Sequence, residues 1–206
     1  MLANAFTVNS PAPTLSSRTP TSGNRGWPVT VTLTGNRFQP GATCVLTRSG
    51  QPDIVGTSVN VASTTSMTCT FALEGVYVGT GTTGSSTWNV VVTNTDGQSV
   101  TRSNWFTVSS RAPTIPSSPA FSPNTRARGS TGISVTAPGT YLQPGMAVIL
   151  TGGSTTITAY NVNVVSPTQV IFTIDIPAGA TTGSYTARYT NTDGRTVTRS
   201  SRFTVT

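Results

Sequence analysis

The chain repeats itself, and this repeat constrains the fold more than any other feature. The segment NRFQPGATCVLT, from Asn36, returns as GTYLQPGMAVILT, from Gly139. Further on, TWNVVVTNTDGQSVTRSNWFTV, from Thr87, returns as SYTARYTNTDGRTVTRSSRFTV, from Ser184. Because the matching segments keep their order, the repeat predicts two homologous units of roughly one hundred residues each.

Apolar and polar residues alternate within each unit, and the alternation agrees between the two copies. The inward positions of one strand are Met67, Cys69, Phe71 and Leu73 in the first unit and Val170, Phe172, Ile174 and Ile176 in the second. A period of two is typical of a strand that buries one face, and no helical periodicity is present. The sequence therefore predicts an all-β fold of two tandem immunoglobulin-like β-sandwiches with about seven strands each.

The predicted domains are residues 11–109 and 110–206, preceded by an extra strand and linker in residues 1–10. Trp88 falls on an inward position and is interpreted as core. The segments Asn94 to Gly97 and Asn191 to Gly194 read NTDG, which favours hairpin turns. Arg102 and Arg199 share the parity of inward residues, so we expect a bulge or an edge position to release them.

The charge and hydropathy of the chain limit which partners it can have. The net charge of +7 comes from 12 arginines against five acids, without lysine or histidine. This balance favours an acidic partner, but the arginines are scattered and lack the dense runs of a nucleic-acid arm, so nucleic-acid binding is a minor alternative. No apolar run reaches the roughly 18 residues needed to span a bilayer, and no signal peptide is recognisable at the first residues.

The chain offers little for catalysis, so we expect a protein that is not an enzyme. A serine or cysteine nucleophile would have no histidine or lysine as its base, and the acids lie singly along the chain. No spacing of acids, cysteines or histidines is typical of a metal site. Residues 79–84 spell GxGxxG, but no helix pattern follows, so no cofactor is predicted.

Two features are candidate sites within the first unit. Cys44 and Cys69 fall on inward positions of two strands, where a disulfide would stabilise the unit by roughly 3 to 4 kcal/mol, the alternative being two buried free thiols. Val76, Tyr77 and Val78 form an apolar triplet at the start of a glycine-rich loop. The triplet is either a contact point for a partner or a loop that folds back on its own sandwich.

The opening segment of the first unit carries a resemblance to a known family. APTLSSRTPTSGNRGWPVTVTLTGNRFQPGATCVLTRSG, with SVNVASTTSMTCTFAL and WNVVVTNTDGQS, resembles the IPT/TIG-type immunoglobulin-like domains of prokaryotic cell-surface proteins, especially those of methanogenic archaea. The second unit keeps TNTDG but lacks the cysteines. The resemblance implies a spacer, adhesive or shell-forming module outside the cell, with no catalytic residues.

Residues Asn4, Ala5, Phe6, Thr7 and Val8 match the closing strand of the first unit, yet the rest of a sandwich does not precede them. They are either the remnant of a preceding unit or a strand donated to a neighbouring copy, which would build a head-to-tail polymer. The favoured function is a structural module of an extracellular shell, stalk or filament that associates with copies of itself. The alternatives are an adhesive or carbohydrate-binding module, with Tyr77, Trp27 or Tyr160 stacking on sugars, and a nucleic-acid-binding domain.

Overall fold

The computed structural model describes residues 10–79, 83–118 and 120–206, and all the regular secondary structure within these ranges is β-strand. The described part of the chain divides into two compact units. Unit 1 contains the described residues before Arg25 together with Pro28–Tyr77 and Ser85–Ser109. Unit 2 contains Ser110–Thr206, Arg25–Trp27 and the described residues of 78–84. The expected strand at Asn4 to Val8 lies outside the described residues.

The first nine strands form two sheets. They are β1 (Thr14–Thr19), β2 (Ser22–Asn24), β3 (Val29–Asn36), β4 (Thr43–Thr47), β5 (Ile54–Val55), β6 (Thr57–Ser63), β7 (Ser66–Phe71), β8 (Thr83–Thr93) and β9 (Ser99–Arg111). One sheet has the order β1-β3-β7-β6, and the other has the order β2-β9-β8-β4-β5. Because consecutive parts of the chain alternate between the two sheets, these strand orders are those of an immunoglobulin-like sandwich.

The next eight strands repeat this arrangement. They are β10 (Thr125–Arg126), β11 (Ile133–Pro138), β12 (Ala147–Gly152), β13 (Thr155–Thr158), β14 (Tyr160–Ser166), β15 (Gln169–Ile174), β16 (Gly183–Thr190) and β17 (Thr196–Val205). Their sheets have the orders β11-β15-β14 and β10-β17-β16-β12-β13. The all-β fold of two tandem immunoglobulin-like sandwiches is therefore confirmed.

The alternation in the sequence correctly locates the core. On β7, Met67, Cys69 and Phe71 are fully buried, and their neighbours on the opposite face are partly exposed. On β15, Val170, Phe172 and Ile174 take the same positions in the core of unit 2. Each fully buried side chain of this size contributes about 1.5 to 3 kcal/mol relative to an exposed one, so these stripes fix which face of each sheet turns inward.

The strand count differs from the expected seven because the first strand of unit 1 is divided. Strand β1 pairs antiparallel with β3, whereas β2 pairs parallel with β9 in the other sheet. Pro20 lies between them, where its missing N–H does not interrupt a ladder. Short strands after β4 and β12 add a further edge in each unit.

The NTDG segments form turns in both units, and their asparagines do more than turn the chain. In unit 1, the Asn94 side chain donates from Nδ2 to the Arg37 carbonyl at 2.7 Å and accepts the Gln39 N–H on Oδ1 at 3.2 Å. In unit 2, Asn191 makes the same two bonds with Tyr141 and Gln143, at 2.7 and 3.2 Å. Both asparagines are buried, so each ties the hairpin turn to a loop, the one after β3 in unit 1 and the one after β11 in unit 2.

The last strand of unit 2 has a bulge next to Arg199. The register between β16 and β17 shifts between Tyr185 and Ala187, and Ser201 has a φ of 57° on the opposing strand. Arg199 lies at one end of this irregular segment, opposite Ala187, and is exposed to solvent.

Candidate functional site

The loop singled out by the sequence contains one exposed aromatic side chain, which lies between two buried valines. Val76 and Val78 are 7% and 3% exposed, whereas Tyr77 is 54% exposed. The two buried valines leave the tyrosine ring exposed between them, and its role as a contact point stays a prediction. A half-exposed aromatic ring is a common contact point for a ligand or a partner.

Tyr77 stands at a groove formed within unit 1. The groove has a volume of about 330 Å³, which lies in the range of small-ligand pockets. One wall is the segment from Gln51 to Val55, which precedes and includes β5, and the other wall is the segment from Ala72 to Tyr77 after β7. The site thus joins two loops that are about twenty residues apart in sequence, because β6 and β7 connect them.

Trp88 forms part of the lining but belongs to the core. Its side chain is 2% exposed, and its indole Nε1 donates to the Ser86 hydroxyl at 2.8 Å. The single N–H donor of the Trp88 indole is therefore engaged inside the fold. This agrees with the sequence interpretation of Trp88 as core and leaves Tyr77 as the aromatic side chain that a partner can reach.

Two carboxylates line the groove, and the fold uses neither of them. Asp53 and Glu74 are exposed, and within the described ranges their side chains make no hydrogen bond or ion pair. The other three acids are engaged: Asp96 accepts from Gln39 and Gln98, Asp175 accepts from Gly132 and Tyr160, and Asp193 accepts from Ser110 and Arg195. The groove therefore carries the negative charge that the structure leaves unpaired.

Sequence reasoning missed this pair of acids. It treated all five carboxylates as isolated, although Glu74 lies only three positions before Tyr77 and could have been grouped with it. Asp53 has no such signal, because its approach to the loop depends on the return of the chain through β6 and β7. The grouping is thus a product of the sandwich topology.

The remaining aromatic candidates are less accessible or already engaged. Tyr160 is 41% exposed, and its hydroxyl donates to Asp175 Oδ1 at 3.0 Å. Desolvation, together with the hydrogen bond to Asp175, raises the pKa of Tyr160. Trp27 is partly buried.

The two cysteines meet in the core of unit 1. Cys44 on β4 and Cys69 on β7 belong to the two facing sheets, and both are fully buried. The structure holds them as free thiols, and the hydrogen bond between their side chains, together with burial, raises the pKa of Cys44. The disulfide between them stays a prediction.

Unit 2 contains a larger cavity, of about 620 Å³, in which no described side chain is suited to binding a charged or aromatic ligand. Its described lining consists of small and neutral residues such as Pro116, Thr136 and Pro138, without a charged or aromatic side chain. Among the residues that the structure describes, no three histidine, cysteine, aspartate or glutamate side chains cluster as a metal site would require. The described part of the chain also holds no helix that is long and apolar enough to cross a membrane.

Comparisons with known proteins find structural likeness only. No protein-family model matches the chain, and no curated protein matches it significantly. Among solved structures, it is similar to titin Ig tandem domains A164-A165, with 16% identity over 90% of this chain and 91% of that chain, at a TM-score of 0.35. It is also similar to the surface glycan-binding protein PbSGBP-B from Prevotella bryantii, with 13% identity over 94% of this chain and 43% of that chain, at a TM-score of 0.33. A marsupial T cell receptor matches with 14% identity over 95% of this chain and 98% of that chain, at a TM-score of 0.34.

Proposed function

We propose that the chain is a non-catalytic structural module of an extracellular assembly, in which copies associate to build a shell, stalk or filament. The resemblance of the first unit to IPT/TIG-type domains of prokaryotic surface proteins supports a place outside the cell. In this proposal the module has two domains, residues 11–109 and 110–206, and residues 1–10 are an extra strand and linker before them. The absence of histidine and lysine from the sequence agrees with a role that depends on shape and contacts.

One observation carries this proposal: each unit ends a sheet in a seven-residue edge strand that has no charged residue and no proline. These strands are β6, with the sequence TSVNVAS, and β14, with the sequence YNVNVVS. Natural edge strands are usually protected from pairing by charge, proline or a bulge. Charge and proline are missing from both strands, and the register shifts at two places in each ladder leave only short regular runs of edge, so the partner in this proposal is a short strand.

The segment Asn4 to Val8 is such a short strand in this proposal. Phe6 and Val8 alternate with Thr7, so one face of the added strand would be apolar and the other polar. Addition of this segment to an edge strand of a neighbouring copy would satisfy backbone groups on both sides. A contact between different surfaces of identical chains does not close on itself, and it therefore produces a linear array.

The assembled mass of the purified chain tests this function. We expect the full chain to form multimers whose mass rises with protein concentration, and we expect deletion of residues 1–10 to lower that mass. Phe6→Asp is expected to act like the deletion, because it places a charge on the apolar face, whereas the matched Thr7→Asp leaves assembly intact. A deleted chain that assembles as the full chain does would refute strand donation.

A further inference from the structure

The unpaired acids of the groove have a counterpart among the arginines. Most of the arginine side chains are engaged within the fold; for example, Arg18 lies 4.6 Å from the centre of the Trp105 ring, and Arg102 donates to the Leu15 carbonyl. Among the described residues, the exposed arginines whose side chains make no such contact are Arg128, Arg188 and Arg199. All three belong to unit 2, whereas Asp53 and Glu74 belong to unit 1.

The chemistry of the groove specifies a cationic guest that donates hydrogen bonds. The carboxylates of Asp53 and Glu74 only accept hydrogen bonds when they are ionised. The Gln51 amide donates its Nε2 to the Gly50 carbonyl at 2.8 Å, which leaves its oxygen as a further acceptor. No arginine lines the groove, so its charge is negative although the whole chain carries +7.

A guanidinium group matches this lining better than other cations. Its planar fork of five N–H donors pairs with carboxylates and stacks on an aromatic face. The half-exposed Tyr77 ring supplies such a face, and a cation above it is attracted by the ring electrons. In a chain with 12 arginines and no lysine, the cation that a second copy offers is always a guanidinium.

We propose that the groove of unit 1, formed by Asp53, Glu74 and Tyr77, accepts an arginine side chain from unit 2 of a second copy. The candidate donors are Arg128, Arg188 and Arg199; Arg188 lies opposite Thr198, so it and Arg199 project from opposite faces of their sheet, and one arginine enters the groove at a time. The contact joins different surfaces of identical chains, so it extends head to tail. It rests on the proposed assembly function, but it uses surfaces other than the segment Asn4 to Val8.

Sedimentation velocity over a concentration series, at low and at physiological salt, tests this contact. We expect wild-type association to weaken as salt rises, because exposed charge pairs are screened. The double variant Asp53→Asn/Glu74→Gln removes the acceptors, and the triple variant Arg128→Gln/Arg188→Gln/Arg199→Gln removes the donors. Each is expected to weaken association by roughly threefold, since these charge pairs are exposed and partly screened by water.

The controls change the same charge elsewhere. Asp96→Asn removes an exposed carboxylate outside the groove, and Arg126→Gln removes an exposed guanidinium that bonds only the neighbouring Thr125 carbonyl. Both are expected to associate as the wild type does. At Tyr77, the Phe variant keeps the aromatic face and is expected to retain association, whereas the Ser variant is expected to weaken it.

A mixture of the acceptor-deficient and donor-deficient variants tests the contact most directly. The acceptor-deficient variant still has its arginines, and the donor-deficient variant still has its groove, so an equimolar mixture should form a salt-sensitive one-to-one dimer and no longer species through this contact. To silence strand donation, both proteins also carry the deletion of residues 1–10. A mixture that stays monomeric would overturn the proposal.

Two other outcomes separate this inference from the function on which it rests. If the wild type assembles and the groove variants assemble equally well, the arginine contact is wrong and the assembly function stands. If the wild type is monomeric at every concentration and salt, both are wrong. A glycan array on which the wild type binds a sugar and Asp53→Asn/Glu74→Gln does not, with unchanged self-association, would assign the groove to a saccharide instead.

Discussion

Replacement of Asn94 by alanine is expected to destabilise unit 1 strongly, although the residue lies in a turn. Its side chain is 3% exposed and bonds two backbone groups, the Arg37 carbonyl and the Gln39 N–H. Alanine leaves one acceptor and one donor without partners. At about 1 to 3 kcal/mol for each buried group, with part recovered by water, the expected loss of unfolding free energy is about 2 to 4 kcal/mol.

Urea unfolding followed by tryptophan fluorescence measures this loss. Thr95→Ala is the matched control, because it removes only an exposed hydrogen bond between Thr95 and the Gln39 side chain and should cost less than about 0.5 kcal/mol. Asn94→Asp keeps the acceptor for the Gln39 N–H but sets a carboxylate against the Arg37 carbonyl, so we expect it to be at least as damaging as alanine at pH 7. An Asn94→Ala protein within about 0.5 kcal/mol of the wild type would refute the reasoning.

Three further predictions concern other parts of the units. If Cys44 and Cys69 form the expected disulfide in an oxidising environment, the denatured, unreduced chain will show no reactive thiol, and reduction will lower the stability of unit 1 by about 3 to 4 kcal/mol. Two reactive thiols in that assay would contradict the disulfide. Burial raises the pKa of Asp193, but hydrogen bonds from Ser110 and Arg195 outweigh it and lower that pKa below 3.8. This contribution to stability is therefore complete at neutral pH and is lost as pH falls below about 4, so Asp193→Asn should flatten the acid side of a stability profile. Tyr77→Ser should change the unfolding free energy by less than about 0.5 kcal/mol, and a larger loss would show that the ring supports the fold.

Most of the sandwich follows from short-range patterns in the sequence. The alternation around Cys69 and Phe172 identifies the buried faces, because a strand that covers a core on one side has a period of two. The parity of Arg199 likewise indicates a bulge, since a charged side chain on an inward position must be released from the core.

Other features depend on contacts between distant segments. The division of the first strand at Pro20 depends on which sheet offers a free edge. The paired roles of Asn94 and Asn191 depend on carbonyls that are 57 and 50 residues away in sequence. The meeting of Asp53 with Glu74 arises in the same way. Sequence patterns report the period of an element, and they do not report which loops meet when the sheets close.

Multi-angle light scattering of the full chain over a concentration series tests the central claim that this protein works by association with its own copies. One chain has a mass of 21.3 kDa. The account predicts a mean mass that rises with concentration through multiples of this value and falls again when residues 1–10 are deleted and salt is raised together. A mass that stays at that of one chain under all conditions would contradict it.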